Sequence, residues 1–146
     1  DIRADLFDED TVYVALDNHK YGDYKPYLLK STNRGRTWRS ISSNLEDRHL
    51  VWRVVQDHEN PNLLFTATEF GLFFTLDAGE NWVKLTGDAP TISFRDVTIQ
   101  RREDDLVAAS FGRGFYIVDD ISPLRALAED SLDQDAMLFA GRDALW

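Results

Sequence analysis

The chain has 146 residues, is 43% hydrophobic and 12% aromatic, and carries a formal net charge of −10 with no cysteine. That length builds one domain with a real core. The acidity argues against a nucleic-acid backbone or an anionic lipid surface as partner, because both call for clustered Lys and Arg. Without thiols there is no disulfide framework and no thiolate chemistry, and no run approaches the ~18 apolar residues of a membrane span.

Asp8-Glu9-Asp10 reads as a polar turn, and residues 11–16 as a strand. An irregular stretch runs from Asp17 to Pro26. Residues 27–30 form a strand, a Gly-containing turn follows, and 38–41 form the next strand. Polar residues 42–49 connect to a second unit with strands at 50–55, 63–68, 72–75 and 82–85. These runs are short, rich in aromatic and branched residues, and bounded by Gly, Pro and Asx, which marks strands and tight turns. A third unit repeats the second at a 42-residue shift, taking Arg53 to Arg95, Val55 to Val97, Leu64 to Leu106, Ala67 to Ala109, Phe73 to Phe115 and Asp77 to Asp119. Pro123 opens a short helix over 123–132 with Leu124, Leu127 and Leu132 on one side, and 136–139 is expected as a final strand.

The turn of the first unit is Ser31-Thr32-Asn33-Arg34-Gly35-Arg36-Thr37-Trp38, and that of the second is Thr75-Leu76-Asp77-Ala78-Gly79-Glu80-Asn81-Trp82. Asn33 to Asp77 and Trp38 to Trp82 are both 44 positions apart. A four-strand unit at this period is the signature of a propeller blade. Gly35 and Gly79 supply a positive φ that other residues resist, Asn33 and Asp77 accept backbone N–H bonds from the turn, and Trp38 and Trp82 start the outgoing strand. In the third unit the Gly and Trp are replaced by Ile121 and Ser122-Pro123, so the turn pattern is lost where its fourth strand would begin.

The pattern S/T-x-D-x-G-x-T/S-W resembles the Asp-box of BNR-type β-propellers, with Asn33 for Asp in the first copy and Asn81 for Thr in the second. Together with Phe111-Gly112-Arg113-Gly114-Phe115-Tyr116-Ile117-Val118-Asp119-Asp120, it is similar to sortilin-like bacterial secreted propeller proteins and to Asp-box glycoside hydrolases. The resemblance implies an all-β fold of about three four-stranded blades (5–45, 50–86 and 92–122), a partial propeller followed by an extension over 123–146. Trp38, Trp52 and Trp82 are expected between sheets. A chain opening on Asp1-Ile2-Arg3 is expected to be a processed product or a piece of a longer protein. The remaining blades of the same chain or of an oligomer are then its first partners, and the family resemblance implies an extracellular, periplasmic or envelope location.

Blade geometry sorts the candidates. Turns 1–2 and 3–4 share one end, so Ser31, Asn33, Gly35, Thr37, Trp38, Thr75, Asp77, Gly79 and Trp82 are structural. The other end holds the candidate ligand face, with His19, Tyr21, Tyr24, Glu69 and Arg113. Its aromatic and charged side chains suit a peptide or a carbohydrate. Arg113, between two glycines, either presents its guanidinium to a carboxylate or packs on Phe111 and pairs with Asp119 or Asp120. No catalytic set stands out. Glycoside hydrolysis needs two facing carboxylates, and spacing singles out no pair among Asp23, Glu46, Asp47, Glu69 and Asp88. His19, His49 and His58 lack metal-ligand spacing, and no cofactor is implied. The expected function is a non-catalytic binding or scaffold module. The alternatives are a fragment of an Asp-box glycoside hydrolase and an assembly factor that recognises proteins.

Overall fold

The computed structural model describes residues 1–127 and 136–139. Three antiparallel sheets follow one another along the chain. Blade 1 contains β1 (Ile2–Ala4), β2 (Val12–Asn18), β3 (Asp23–Ser31) and β4 (Arg39–Ser40). Blade 2 contains β5 (Val51–Gln56), β6 (Leu64–Thr68), β7 (Gly71–Thr75) and β8 (Val83–Lys84). Blade 3 has three strands, β9 (Phe94–Gln100), β10 (Asp105–Ser110) and β11 (Phe115–Val118). A four-residue helix, α1 (Ser122–Arg125), follows with Pro123 in its first turn. The fold is an all-β stack of propeller blades. Among the described residues no helix is long and apolar enough to cross a membrane.

Burial follows position in the stack. β6 and β7 are buried along their whole length, because blade 2 has a neighbour on each face. β2 and β10 alternate between buried and half-buried positions over their blade-packed stretches, because each of their blades has one neighbour among the described residues. Two cores result. One joins blades 1 and 2 through Tyr13, Leu28, Ile41, Val54, Leu64, Phe73 and Trp82. The other joins blades 2 and 3 through Phe65, Leu72, Phe74, Phe94, Val97, Leu106 and Ile121. At ~25 cal/mol per Å² of apolar surface removed from water, these interfaces dominate the stability of so flat a unit.

The repeated turns form as their residues require. In blade 2, Thr75 Oγ1 donates to Asp77 Oδ1 (2.5 Å) and accepts the Gly79 N–H (3.1 Å), while Asp77 Oδ1 accepts the N–H groups of Glu80 and Asn81. Burial pushes the Asp77 carboxyl up, but the Thr75 hydroxyl, both donors of Asn81 and the Glu80 N–H together hold it below the usual range. In blade 1, Asn33 Oδ1 accepts from Ser31 Oγ and Thr37 N–H, and its amide donates to Thr37 Oγ1. The acceptor oxygen is therefore what the turn needs, and the negative charge is dispensable. Gly79 is required twice over. Its φ is +99°, and a Cβ there would stand 2.9 Å from Ile41 Cδ1 of blade 1.

Several expectations change. The stretch 17–26 is not irregular: β2 continues to Asn18, a 3₁₀ turn spans His19–Tyr21, and β3 begins at Asp23, so the insertion lengthens a hairpin. Strand β1 precedes residue 5, where the first unit is expected to begin. Trp82 is 4% exposed and Trp52 is half-buried, but Trp38 is 43% exposed, so it does not lie between two of the described sheets. The 42-residue shift holds only for β10. Thr66 pairs with Phe73 and Ala108 with Tyr116, so Phe73 corresponds to Tyr116; likewise Val54 corresponds to Val97 through the same pair of partners. The connection before β10 is one residue shorter than its blade 2 counterpart and the connection after it one residue longer, so the apparent Phe73–Phe115 match is off by one. Residues 136–139 form no strand and are exposed. The expected helix over 123–132 is seen as Ser122–Arg125, and residues 128–132, with Leu132, lie outside the described residues.

Candidate functional site

The corrected register places Trp52 of β5 and Arg95 of β9 at equivalent positions in adjacent blades. They meet at the end opposite the repeated turns. The Arg95 guanidinium lies 3.7 Å from the centre of the Trp52 ring and 5.0 Å from that of Phe111. A cation held over an indole face is attracted by the ring quadrupole. On the hairpin between β6 and β7, Glu69 is braced from three sides: Trp52 Nε1–H donates to its Oε2 (3.0 Å), Ser93 Oγ donates to the same oxygen (2.9 Å), and Arg95 Nη2 lies 3.6 Å away. His19 stands edge-on to Trp52, with ring centres 5.6 Å apart, and its Nδ1 contacts the Asp17 carboxylate.

His19, Trp52, Glu69 and Arg95 line a pocket of about 210 Å³ with Tyr24, Arg48, Leu50 and Phe70. Arg48 takes a φ of +77° and its N–H donates to the Tyr24 carbonyl, which ties the blade 1–blade 2 connector to the long hairpin. Arg48 and Phe70 also line a neighbouring cavity of about 570 Å³ that holds Glu46, Asp47, His49, Phe73 and Lys84. His49, in the larger cavity, stands edge-on to both Phe70 and Phe73 at 5.5 and 5.4 Å. Sharing Arg48 and Phe70, the two cavities adjoin as one candidate groove lined by aromatic and charged side chains.

Of the candidate ligand-face residues, His19, Tyr24 and Glu69 come together in this groove. Tyr21 is 87% exposed and is not among the residues lining it. Arg113 is exposed on a loop whose flanking glycines both have positive φ, and the Arg95 guanidinium lies 5.0 Å from the ring centre of Phe111, which is itself 71% exposed. The candidate carboxylates are scattered. Asp23 accepts the Tyr27 hydroxyl (2.6 Å), Glu46 and Asp47 line the larger cavity, Glu69 lines the smaller pocket, and Asp88 lines a separate one near β11. Sequence reasoning assigned Trp52 to the core and passed over Arg48 and Ser93; the off-by-one register hid that Trp52 and Arg95 share a position.

At the opposite end, Asp57 is fully buried and receives two bonds of 2.8 Å from Arg125 together with the N–H groups of Glu59 and Asn60. Arg125 also reaches Asp104 (2.7 Å) and Glu59 (3.0 Å). His58, Glu59 and Asp104 bring possible ligand atoms within 4.8 Å of one another, but the guanidinium already holds both carboxylates, and a metal ion there would meet its charge. The cluster is a clamp that fastens α1 to blades 2 and 3.

No protein-family model and no curated protein matches the sequence. Among solved structures, the chain is similar to an ancestral GH74 enzyme at 23% identity and a TM-score of 0.62, covering 77% of this chain and 13% of that one. It is similar to YCF48 bound to D1 peptide at 18% identity and a TM-score of 0.53, covering 80% and 35%. It is also similar to the GH74 xyloglucanase from Xanthomonas campestris at 18% identity and a TM-score of 0.57, covering 82% and 22%. At such identities the likeness shows the β-propeller fold. The chain spans 13% to 35% of the lengths of these structures.

Proposed function

We propose that the chain is a non-catalytic binding module of a larger sortilin-like propeller with Asp-box turns, located outside the cell or in the envelope, and that its groove takes a peptide segment of a protein partner. The observation that carries this reading is the state of Glu69. A hydrolytic acid or nucleophile must be free to exchange a proton or attack, whereas Glu69 is held by Trp52, Ser93 and Arg95. Of the other carboxylates at this end, Asp88 lines a separate cavity, and Glu46 and Asp47, which share the larger one, are consecutive residues of a single connector, whereas a glycosidase sets its two carboxylates on opposite sides of the bond. A peptide fits better than a sugar because the Trp52 face, the natural stacking platform, is already covered by Arg95. Extended peptide backbone and mixed side chains suit a groove lined by aromatic side chains in which both cavities share Arg48. YCF48, one of the similar folds, is a propeller bound to a peptide.

The reading is tested on a peptide array of random sequence and on xyloglucan oligosaccharides. The chain should capture a subset of the peptides, with capture reduced about tenfold or more by the pair Tyr24→Ala and Arg48→Ala, the scale of one or two lost interface anchors. It should release no reducing ends. Sugar release that disappears in Glu69→Gln would instead establish the glycoside-hydrolase alternative.

A further inference from the structure

The interface between blades 1 and 2 defines what a blade's Trp requires from the blade before it. Trp82 Nε1–H donates to the Ile41 carbonyl (2.6 Å). Asn44 then clamps the Trp82 backbone in both directions, accepting its N–H at 2.8 Å and donating to its carbonyl at 2.9 Å. Ile41 itself fills the space that the missing Cβ of Gly79 leaves open. The contact is thus made by one short segment, Ile41-Ser42-Ser43-Asn44, that follows the fourth strand of blade 1.

Trp38 and Gly35 are the blade 1 counterparts of Trp82 and Gly79, and the described residues place no blade over them. Gly35 has φ +77°, and a Cβ there would meet only its own Trp38 ring, at 3.4 Å. On the same side of the sheet, Val12, Val14 and Leu29 are half-buried, and Ile2 is 73% exposed. These positions correspond, by strand pairing, to Leu64, Thr66, Phe73 and Val54, of which Leu64, Phe73 and Val54 share a core with blade 1.

We propose that this face of blade 1 is the seat of a preceding propeller blade whose fourth strand runs into an aliphatic-x-x-Asn segment, the aliphatic carbonyl receiving Trp38 Nε1–H and the Asn side chain clamping the Trp38 backbone. The occupant is specified by continuity with the interface one blade further on. A blade ending in aliphatic-x-x-Asp, as Leu85-Thr86-Gly87-Asp88 does, has no amide donor for the Trp carbonyl; blade 3, which follows it, carries no Trp at this place. The inference rests on the reading of the chain as part of a larger propeller.

The test supplies such a blade. Residues 1–52 are duplicated ahead of Asp1, with Trp38→Phe in the duplicate so that the original Trp38 is the only one. Indole N–H exchange of Trp38 is then compared with that in the 146-residue chain. Exchange should slow by ~100-fold or more, as for a group that opens only through separation of packed units. Asn44→Ala in the duplicate should return a good part of that protection, while Trp82 stays protected in both. If the added unit folds, judged by its gain in β-sheet circular dichroism, and Trp38 still exchanges at its original rate, the inference falls alone. If the added unit does not fold on the chain, the larger-propeller reading falls with it.

Discussion

Trp82→Ala should destabilise the chain by about 3–5 kcal/mol, the usual range for a buried Trp or Phe cut to Ala. The side chain is 4% exposed and is the keystone of the blade 1–blade 2 core. Its loss leaves a cavity against Ile41 and strands the Ile41 carbonyl, buried beneath the ring, without its donor. Trp38→Ala removes the same residue from the same turn motif, yet it should cost no more than about 1 kcal/mol in this chain, because a 43% exposed ring has little transfer energy to lose. Urea unfolding of the two variants measures the difference. Equal losses would mean that the Trp acts through its own turn and not through the neighbouring blade.

Arg125→Met should be comparably severe, at about 3–5 kcal/mol, because breaking a buried ion pair leaves the remaining charge uncompensated. Asp57 is fully buried, and Arg125 is its only side-chain cation at bonding distance among the described residues. The double variant Arg125→Met with Asp57→Asn should recover much of the loss, since it removes the stranded charge and keeps an acceptor for Glu59 and Asn60. The pH dependence follows from the direction of the shift. Burial alone would raise the Asp57 carboxyl, but the Arg125 hydrogen bonds and the two backbone N–H groups hold it below its usual value. A depressed folded value contributes stability that is complete above the unfolded pKa of about 3.9 and is lost as pH falls through the folded value. In Arg125→Met burial prevails and raises the carboxyl, so the gap between wild type and variant should start to narrow above pH ~4, as the variant's Asp57 protonates, and narrow further below about 4, as the wild type loses its own contribution. A gap independent of pH would place the effect of Arg125 in packing and not in charge.

The architecture was legible because it is written locally and repeated. Asx, Gly and Trp at one fixed spacing dictate the turn, and short alternating runs dictate the strands. The face a residue shows to its neighbours is not local. The two copies of the motif differ little in sequence, yet Trp82 is buried and Trp38 is not, because only one has a blade over it. The register of the third unit was hidden by compensating one-residue changes in the loops flanking β10, which leave the 42-residue match of the middle strand intact. The same slip concealed the groove: Trp52, Glu69 and Arg95 come from three strands or hairpins in two blades, and only the register brings them together. The hairpin 17–26 looked irregular because Tyr, Lys and Asp do not alternate with apolar residues there, and most of its residues are exposed.

Among the described residues the stack of blades has an open face at each end, as a part of a propeller ring would. Ile2 and Trp38 are bare on blade 1; Phe115 and Ile117, which correspond to the packed Leu72 and Phe74, are 77% and 59% exposed on blade 3. The mass of the 146-residue chain in solution, measured by light scattering across a range of concentrations, tests this most directly. The account predicts a mass that rises with concentration above that of a single 16.8 kDa chain, as such faces find one another. A folded, monodisperse 16.8 kDa particle at every concentration would contradict it, because the three blades would then be complete without neighbours.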